Sequence, residues 1–83
     1  MKIRYTQEQT IKGISVTRVS DYVQDEKVYE FDNREDAQDF IEYFIKIKNQ
    51  LMDQLGINVV IANNTMTWSA MGINFVETFE IED

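Results

Sequence analysis

Between Asn33 and Gly56 the apolar residues recur at helical spacing. Placed at about 100° per residue, Ala37, Phe40, Ile41, Phe44, Ile45, Ile47, Leu51, Met52 and Leu55 fill one arc, and Glu35, Asp39, Glu42, Lys46, Asn49, Gln50 and Asp53 fill the other. The stretch therefore predicts an amphipathic helix that lies on something. Asp32 and Asn33 are cap-type residues, with Asn33 the predicted N-cap and Glu35 and Asp36 in the first turn. Gly56 supplies the left-handed position that ends the helix, which gives a length of about 22 residues, long for so small a chain but within the usual spread.

From Ile57 the pattern changes to alternation and reads as a three-stranded meander. Asn63-Asn64 suits a two-residue type I′ turn because asparagine tolerates positive φ, so Ala62 should face Thr65. Counting back from the turn pairs Ile61 with Met66, Val59 with Trp68 and Ile57 with Ala70, all on one face. If Met71-Gly72 is a second such turn, Ala70 meets Ile73, Trp68 meets Phe75 and Met66 meets Glu77. The two turns thus agree on one apolar face, interrupted only at Glu77. The other face carries Asn58, Val60, Thr65, Thr67, Ser69, Asn74, Val76 and Thr78, as suits a solvated sheet surface.

The N-terminal third alternates more weakly. Ile3 and Tyr5 alternate, Ile14 and Val16 alternate after Gly13, and Val28 to Phe31 is β-prone, which predicts two or three strands with a polar turn near Asp25. Phe79 and Ile81 extend the apolar face past the Asn63-Asn64 turn. They need cover, either from an N-terminal strand or from a second subunit adding its own strand. The expected fold is α+β: a single domain, residues 1–83, with an antiparallel sheet of about five strands in the order β-β-(β)-α-β-β-β and one long helix across one face. Trp68, Phe75, Phe40 and Phe44 should supply most of the core between the layers.

Composition supports this reading. Hydrophobic residues make up 43% of the 83 positions, enough for one modest core and too few residues for two domains. There is no cysteine to staple the chain or bind metal as thiolate. Met1 is followed by a polar, strand-like segment rather than a leader, and no apolar run is long enough to span a bilayer, so a cytoplasmic location is expected.

Charge changes the picture most. The whole net charge of −7 can be assigned to Asp21–Glu42, where Asp21, Asp25, Glu26, Glu30, Asp32, Glu35, Asp36, Asp39 and Glu42 face only Lys27 and Arg34. The flanking segments, +3 before it and −3 after it, cancel. Part of the cluster has a structural explanation, because acids in the first turns complement the helix dipole and Glu42 to Lys46 is a favourable i to i+4 pair. That does not account for Asp21, Asp25, Glu26, Glu30 and Asp32, which precede the helix. A binding surface for a basic protein does account for them, with mimicry of a phosphate backbone as its sharpest form.

Other chemistries lack their residues. With no His and no Cys, the usual nucleophile–base pairs cannot form, and neither G-x-S-x-G nor S-x-x-K occurs. No calcium-loop pattern is present, and three scattered glycines cannot make a phosphate cradle. Enzymatic activity, a cofactor and a metal site are therefore not expected. The acid balance opposes direct nucleic-acid binding, and an aromatic sheet platform is ruled out by the register, which puts Trp68 and Phe75 on the covered face. Lys48 falls in the middle of the apolar arc, where it either snorkels or pairs with Glu77, the one acid on the sheet's core face.

The expectation from sequence is a non-enzymatic binding protein that occupies a basic site, of the kind a nucleic-acid-binding protein presents, through Asp21, Tyr22, Asp25, Glu26, Tyr29, Glu30, Asp32, Glu35, Asp36 and Asp39. Tyr22 and Tyr29 would be its anchors. A compact acidic chain rich in Asn, Gln, Ile and Lys is compatible with a bacteriophage or mobile-element gene, whose products include inhibitors of host nucleic-acid machinery and anti-CRISPR proteins; the setting would then be the host cytoplasm. The alternative is a structural or accessory module that self-associates, as a homodimer for instance, through a sheet edge near Phe79 and Ile81. No membrane partner is expected.

Overall fold

The computed structural model describes Met1–Asp83. One helix, α1 (Arg34–Gln54), packs on a five-stranded antiparallel sheet made of β1 (Lys2–Ile11), β2 (Ile14–Asp21), β5 (Val60–Ala62), β6 (Thr65–Ala70) and β7 (Ile73–Glu82). A separate two-stranded ribbon, β3 (Val23–Gln24) with β4 (Lys27–Val28), leads from the sheet to the helix. The fold class is α+β, as the alternation and the single helical period predict. The N-terminal third holds four strands rather than two or three. Asp25-Glu26 closes the extra ribbon at the expected polar turn, with both residues at positive φ; its two-residue strands are too short to show an alternation of their own.

Sheet order is β2-β1-β7-β6-β5. The register after the helix is largely the derived one: Ala62 pairs with Thr65, Ile61 with Met66, Trp68 with Phe75 and Met66 with Glu77. Both turns have positive φ at their two central residues, Asn63 and Asn64 in one and Met71 and Gly72 in the other. Strand β5 is shorter than expected, and the pairings of Val59 with Trp68 and Ile57 with Ala70 are not part of the ladder. The helix C-terminus explains why. Gly56, at φ +75°, donates to the Asp53 carbonyl, and Ile57 donates to the Met52 carbonyl. This Schellman closure commits the Ile57 N–H to the helix, so the chain reaches the sheet only three residues later.

The cover for Phe79 and Ile81 is β1. Ile3 pairs with Ile81 and Tyr5 with Phe79, which makes β7 the central strand. The edge near Phe79 and Ile81 that the self-association reading invoked is thus occupied from within the chain. The sheet's free edges are β2 and the short β5.

Helix α1 begins as its sequence predicts. Asn33 is the N-cap, its side-chain oxygen accepting from the Asp36 N–H at 2.8 Å. Ala37, Ile41 and Ile45 are buried against Ile3, Met66 and Phe79. This core is chiefly aliphatic, contrary to the expectation that Trp68, Phe75, Phe40 and Phe44 would dominate it. The larger rings are engaged at the margins: Trp68 turns its indole to Glu77 and stacks on Phe75, Phe40 packs with Tyr22 and Phe31, and Phe44 remains partly exposed. Phe40 joins Tyr22, Tyr29 and Phe31 in an aromatic group that fastens the β3–β4 ribbon to the first turns of the helix, with Tyr22–Phe40 and Tyr29–Phe31 centroids 4.6 Å apart.

Candidate functional site

The structure divides the sequence-predicted residues between two faces. Asp21 projects from the sheet face away from the helix, where Lys2 and Arg4 reach it at 3.7 and 3.9 Å and also pair with Glu82. Alternation along β2 dictates this: Asp21 and Tyr22 are neighbours in sequence and so point to opposite faces. Tyr22 points inward and packs on Phe40, Phe31 and Tyr29. Its ring is a fastener of the fold, which leaves Tyr29, more exposed, as the one of the two expected anchors with a ring at the surface.

The remaining acids gather where the ribbon meets the helix. Asp25 and Glu26 form the β3–β4 turn, and Glu30 and Asp32 lie on the connection to the helix. Glu35 and Asp36 occupy the first helical turn, with Asp39 one turn further on the exposed side. Glu30 accepts from the N-terminal amine at 3.1 Å, and the Phe31 N–H bonds to the Met1 carbonyl, so this end of the chain is tied to the start of β1.

Neutralisation is sparse here. The ion pairs of the molecule use the N-terminus, Lys2, Arg4, Arg34 and Lys48, whose partners are Glu30, Asp21, Glu82, Asp83 and Glu77. None involves Asp25, Glu26, Asp32, Glu35, Asp36, Asp39 or Glu42. The anticipated Glu42–Lys46 pair is not formed; Glu42 accepts from Gln38 at 3.5 Å instead. Asp36 and its neighbours at the N-terminus of α1 lie where the helix dipole favours negative charge. The carboxylates stand apart rather than converging, and no group of three or more forms a metal-binding arrangement.

A second polar constellation lies inside. Glu77 is completely buried on the sheet's core face and has three partners: the Tyr5 hydroxyl donates to Oε1, Lys48 Nζ to the same oxygen at 3.2 Å, and Trp68 Nε1 to Oε2 at 2.9 Å. Trp68 stacks on Phe75 with centroids 3.9 Å apart, and Lys48 Nζ sits 5.8 Å from the Trp68 ring centre. Burial, followed by the hydrogen bond to Glu77 and its negative charge, raises the pKa of the Tyr5 hydroxyl well above the usual tyrosine value. The Lys48–Glu77 pairing was legible from the helical arc and the strand register. The Tyr5 contribution was not, because it depends on β1 pairing with β7 across the full length of the chain.

Beside this network a cavity of about 250 Å³ opens between α1 and the β1–β2 hairpin, lined chiefly by aromatic and aliphatic side chains, among them Phe40, Phe44 and Tyr22, with Ser20 and Asp21 at the β2 side. One helix cannot cover five strands, and the uncovered part of the inner face lies toward β2.

These features define a small α+β domain with an aliphatic core, a buried carboxylate and an acidic end. Comparison with protein-family models, with curated proteins and with solved structures finds no match to the chain. No helix is long and apolar enough to cross a membrane.

Proposed function

We propose that this chain is a non-enzymatic binding protein whose acidic end occupies a basic surface on another protein. One observation carries the reading: seven carboxylates from the β3–β4 turn to the third turn of α1, Asp25, Glu26, Asp32, Glu35, Asp36, Asp39 and Glu42, have no cationic partner in the fold, while Lys2, Arg4, Arg34 and Lys48 are paired elsewhere. Uncompensated charge of one sign costs self-repulsion and returns it as attraction to a partner of opposite sign. Tyr29 lies beside these acids and offers an exposed ring of the type that anchors interfaces. Asp21 and Tyr22 contribute indirectly, the first by holding Lys2 and Arg4 away from the acidic end and the second by seating the ribbon.

The narrower form of the proposal is an inhibitor that stands in for a phosphate backbone on a nucleic-acid-handling protein, of the kind that phages and mobile elements direct at CRISPR effectors. The test is affinity capture from bacterial lysate, comparing wild type with a variant in which Asp25, Glu26, Glu30 and Asp32 are all replaced by Lys, at low and high salt. A basic, nucleic-acid-binding protein retained by wild type alone and released by salt is the expected result. Equal recovery by both baits would sink the proposal.

A further inference from the structure

Strand β2 is an edge with nothing on its outer side. In the β1–β2 ladder the Tyr22 N–H donates to the Ile3 carbonyl, and the two-residue Lys12-Gly13 turn pairs Ile11 with Ile14. The alternating pattern of an antiparallel pair then turns the backbone groups of the even-numbered residues of β2 toward β1. Those of Ser15, Thr17, Val19 and Asp21 point outward, unused. The edge is eight residues long and regularly paired along its inner side, with neither a proline nor a bulge to deter another strand. Its apolar side chains are also bare: Ile14 is 73% and Val19 58% exposed.

We propose that the occupant of this edge is the β2 strand of a second copy of the chain, antiparallel, with Thr17 on the two-fold axis. Faces and hydrogen bonds restrict the choice to registers centred on a single residue, and the side chains select among those. Centring on Arg18 would place two guanidinium groups opposite each other. Centring on Val16 would leave Asp21 beyond the partner's strand, opposite Ile11. Centring on Thr17 sets Ser15 against Val19 and Val16 against Arg18, so the arginine lies along an aliphatic side chain.

The same register is complementary at its ends. Ile14, the most exposed of the large apolar residues of β2, falls opposite Ser20, beside the apolar cavity that Tyr22, Phe40 and Phe44 line. Lys12, unpaired at the hairpin tip, falls opposite Tyr22, next to Asp21 and the Asp25-Glu26 turn. Because the contact is isologous, each of these complementarities occurs twice. The two sheets would join into one of ten strands with both helices on the same side. This goes beyond the acidic-end proposal, touches that end only at the Asp25-Glu26 turn, and leaves Glu35, Asp36 and Asp39 exposed.

The test is sedimentation of the purified chain over a dilution series. The expected result is a species of twice 9.8 kDa that dissociates on dilution. Thr17→Pro removes an outward N–H that β1 does not use, and it should give a monomer with an unchanged circular dichroism spectrum. If that variant fails to fold, Ile14→Lys, at a position already exposed in the single chain, should give the monomer instead. Register is read by cysteine pairing, which is unambiguous in a chain without native cysteine. Directly opposed hydrogen-bonded residues lie with Cα atoms about 5.5 Å apart, within disulfide reach, so Thr17→Cys should cross-link to itself on mild oxidation and Ser15→Cys should not. A monomer at every concentration overturns the proposal. So does a dimer that persists in folded Thr17→Pro, or one in which Ser15→Cys cross-links and Thr17→Cys does not.

Discussion

Lys48 Nζ lies 3.2 Å from Oε1 of Glu77, a carboxylate with no solvent exposure, while a quarter of the lysine side chain remains in contact with water. The asymmetry decides how the pair responds to mutation. Lys48 can return to solvent when its partner is lost; the Tyr5 hydroxyl and Trp68 Nε1–H cannot do so as readily. Glu77→Ala should therefore cost about 3 kcal/mol or more, since each buried donor left unsatisfied costs roughly 1–3 kcal/mol. Lys48→Met, which leaves Glu77 with two donors, should cost less. A double-mutant cycle by denaturant unfolding should give a coupling of roughly 1–3 kcal/mol. Additive effects would mean that the two groups are neighbours without being partners.

Alkaline stability follows from the same cluster. The folded state holds the Tyr5 proton more tightly than the unfolded chain does, because its pKa is raised by burial and by Glu77. The stabilisation is fully present below the unfolded-state value of about 10. It is lost as pH rises from there toward the folded value, as the unfolded state binds fewer protons than the native one. The melting temperature of wild type should fall more steeply above that point than that of Tyr5→Phe, although the variant begins less stable. Parallel alkaline slopes would contradict the assignment.

Asn33 carries the start of α1. Its side chain satisfies the Asp36 N–H, one of the helix's free donors. Asn33→Ala should destabilise the protein by about 1 kcal/mol and Asn33→Asp by much less, measured as the shift in urea midpoint. No difference between the two variants would mean that the aromatic group around Phe40 positions the helix without help from the cap.

Met71 offers a gain. It sits at φ +54° in the β6–β7 turn, 98% exposed, and so makes no packing contribution to set against its backbone strain. Met71→Asn supplies a residue suited to that conformation, and should raise stability by roughly 0.5–1 kcal/mol. Thermal unfolding reads this directly, and a lower melting temperature would count against the turn geometry.

Local signals carried most of the fold. The helical arc from Ala37 to Leu55, the asparagine pair and Met71-Gly72 each act within a few residues of themselves, and the helix, the two turns and their register match the structure. What could not be read depended on distant or competing contacts. The Schellman closure at Gly56 and Ile57 shortened β5 because one N–H cannot serve both helix and ladder. The core is aliphatic because Trp68, Phe75 and Phe40 are engaged by Glu77, by each other and by Tyr22, contacts set by distant residues. In the acidic cluster, sequence adjacency suggested a single surface, yet strand alternation sends Asp21 to the opposite face from Tyr22 and gives it to Lys2 and Arg4. The β2 edge carried no sequence signal of its own, because a strand is recognised by its residues and an edge by what is missing beside them.

The central place of β7 has a consequence in time. Strand β1 leaves the ribosome well before the partner it needs, residues 73–82, which follows some sixty residues later. At about 5–20 residues per second, the β1–β2 hairpin waits several seconds with Ile3 and Tyr5 uncovered. Only when β7 emerges can β1, β6 and the helix acquire a common core. The two flanks of the sheet are therefore joined by the last of its strands to be made, and the core closes with it.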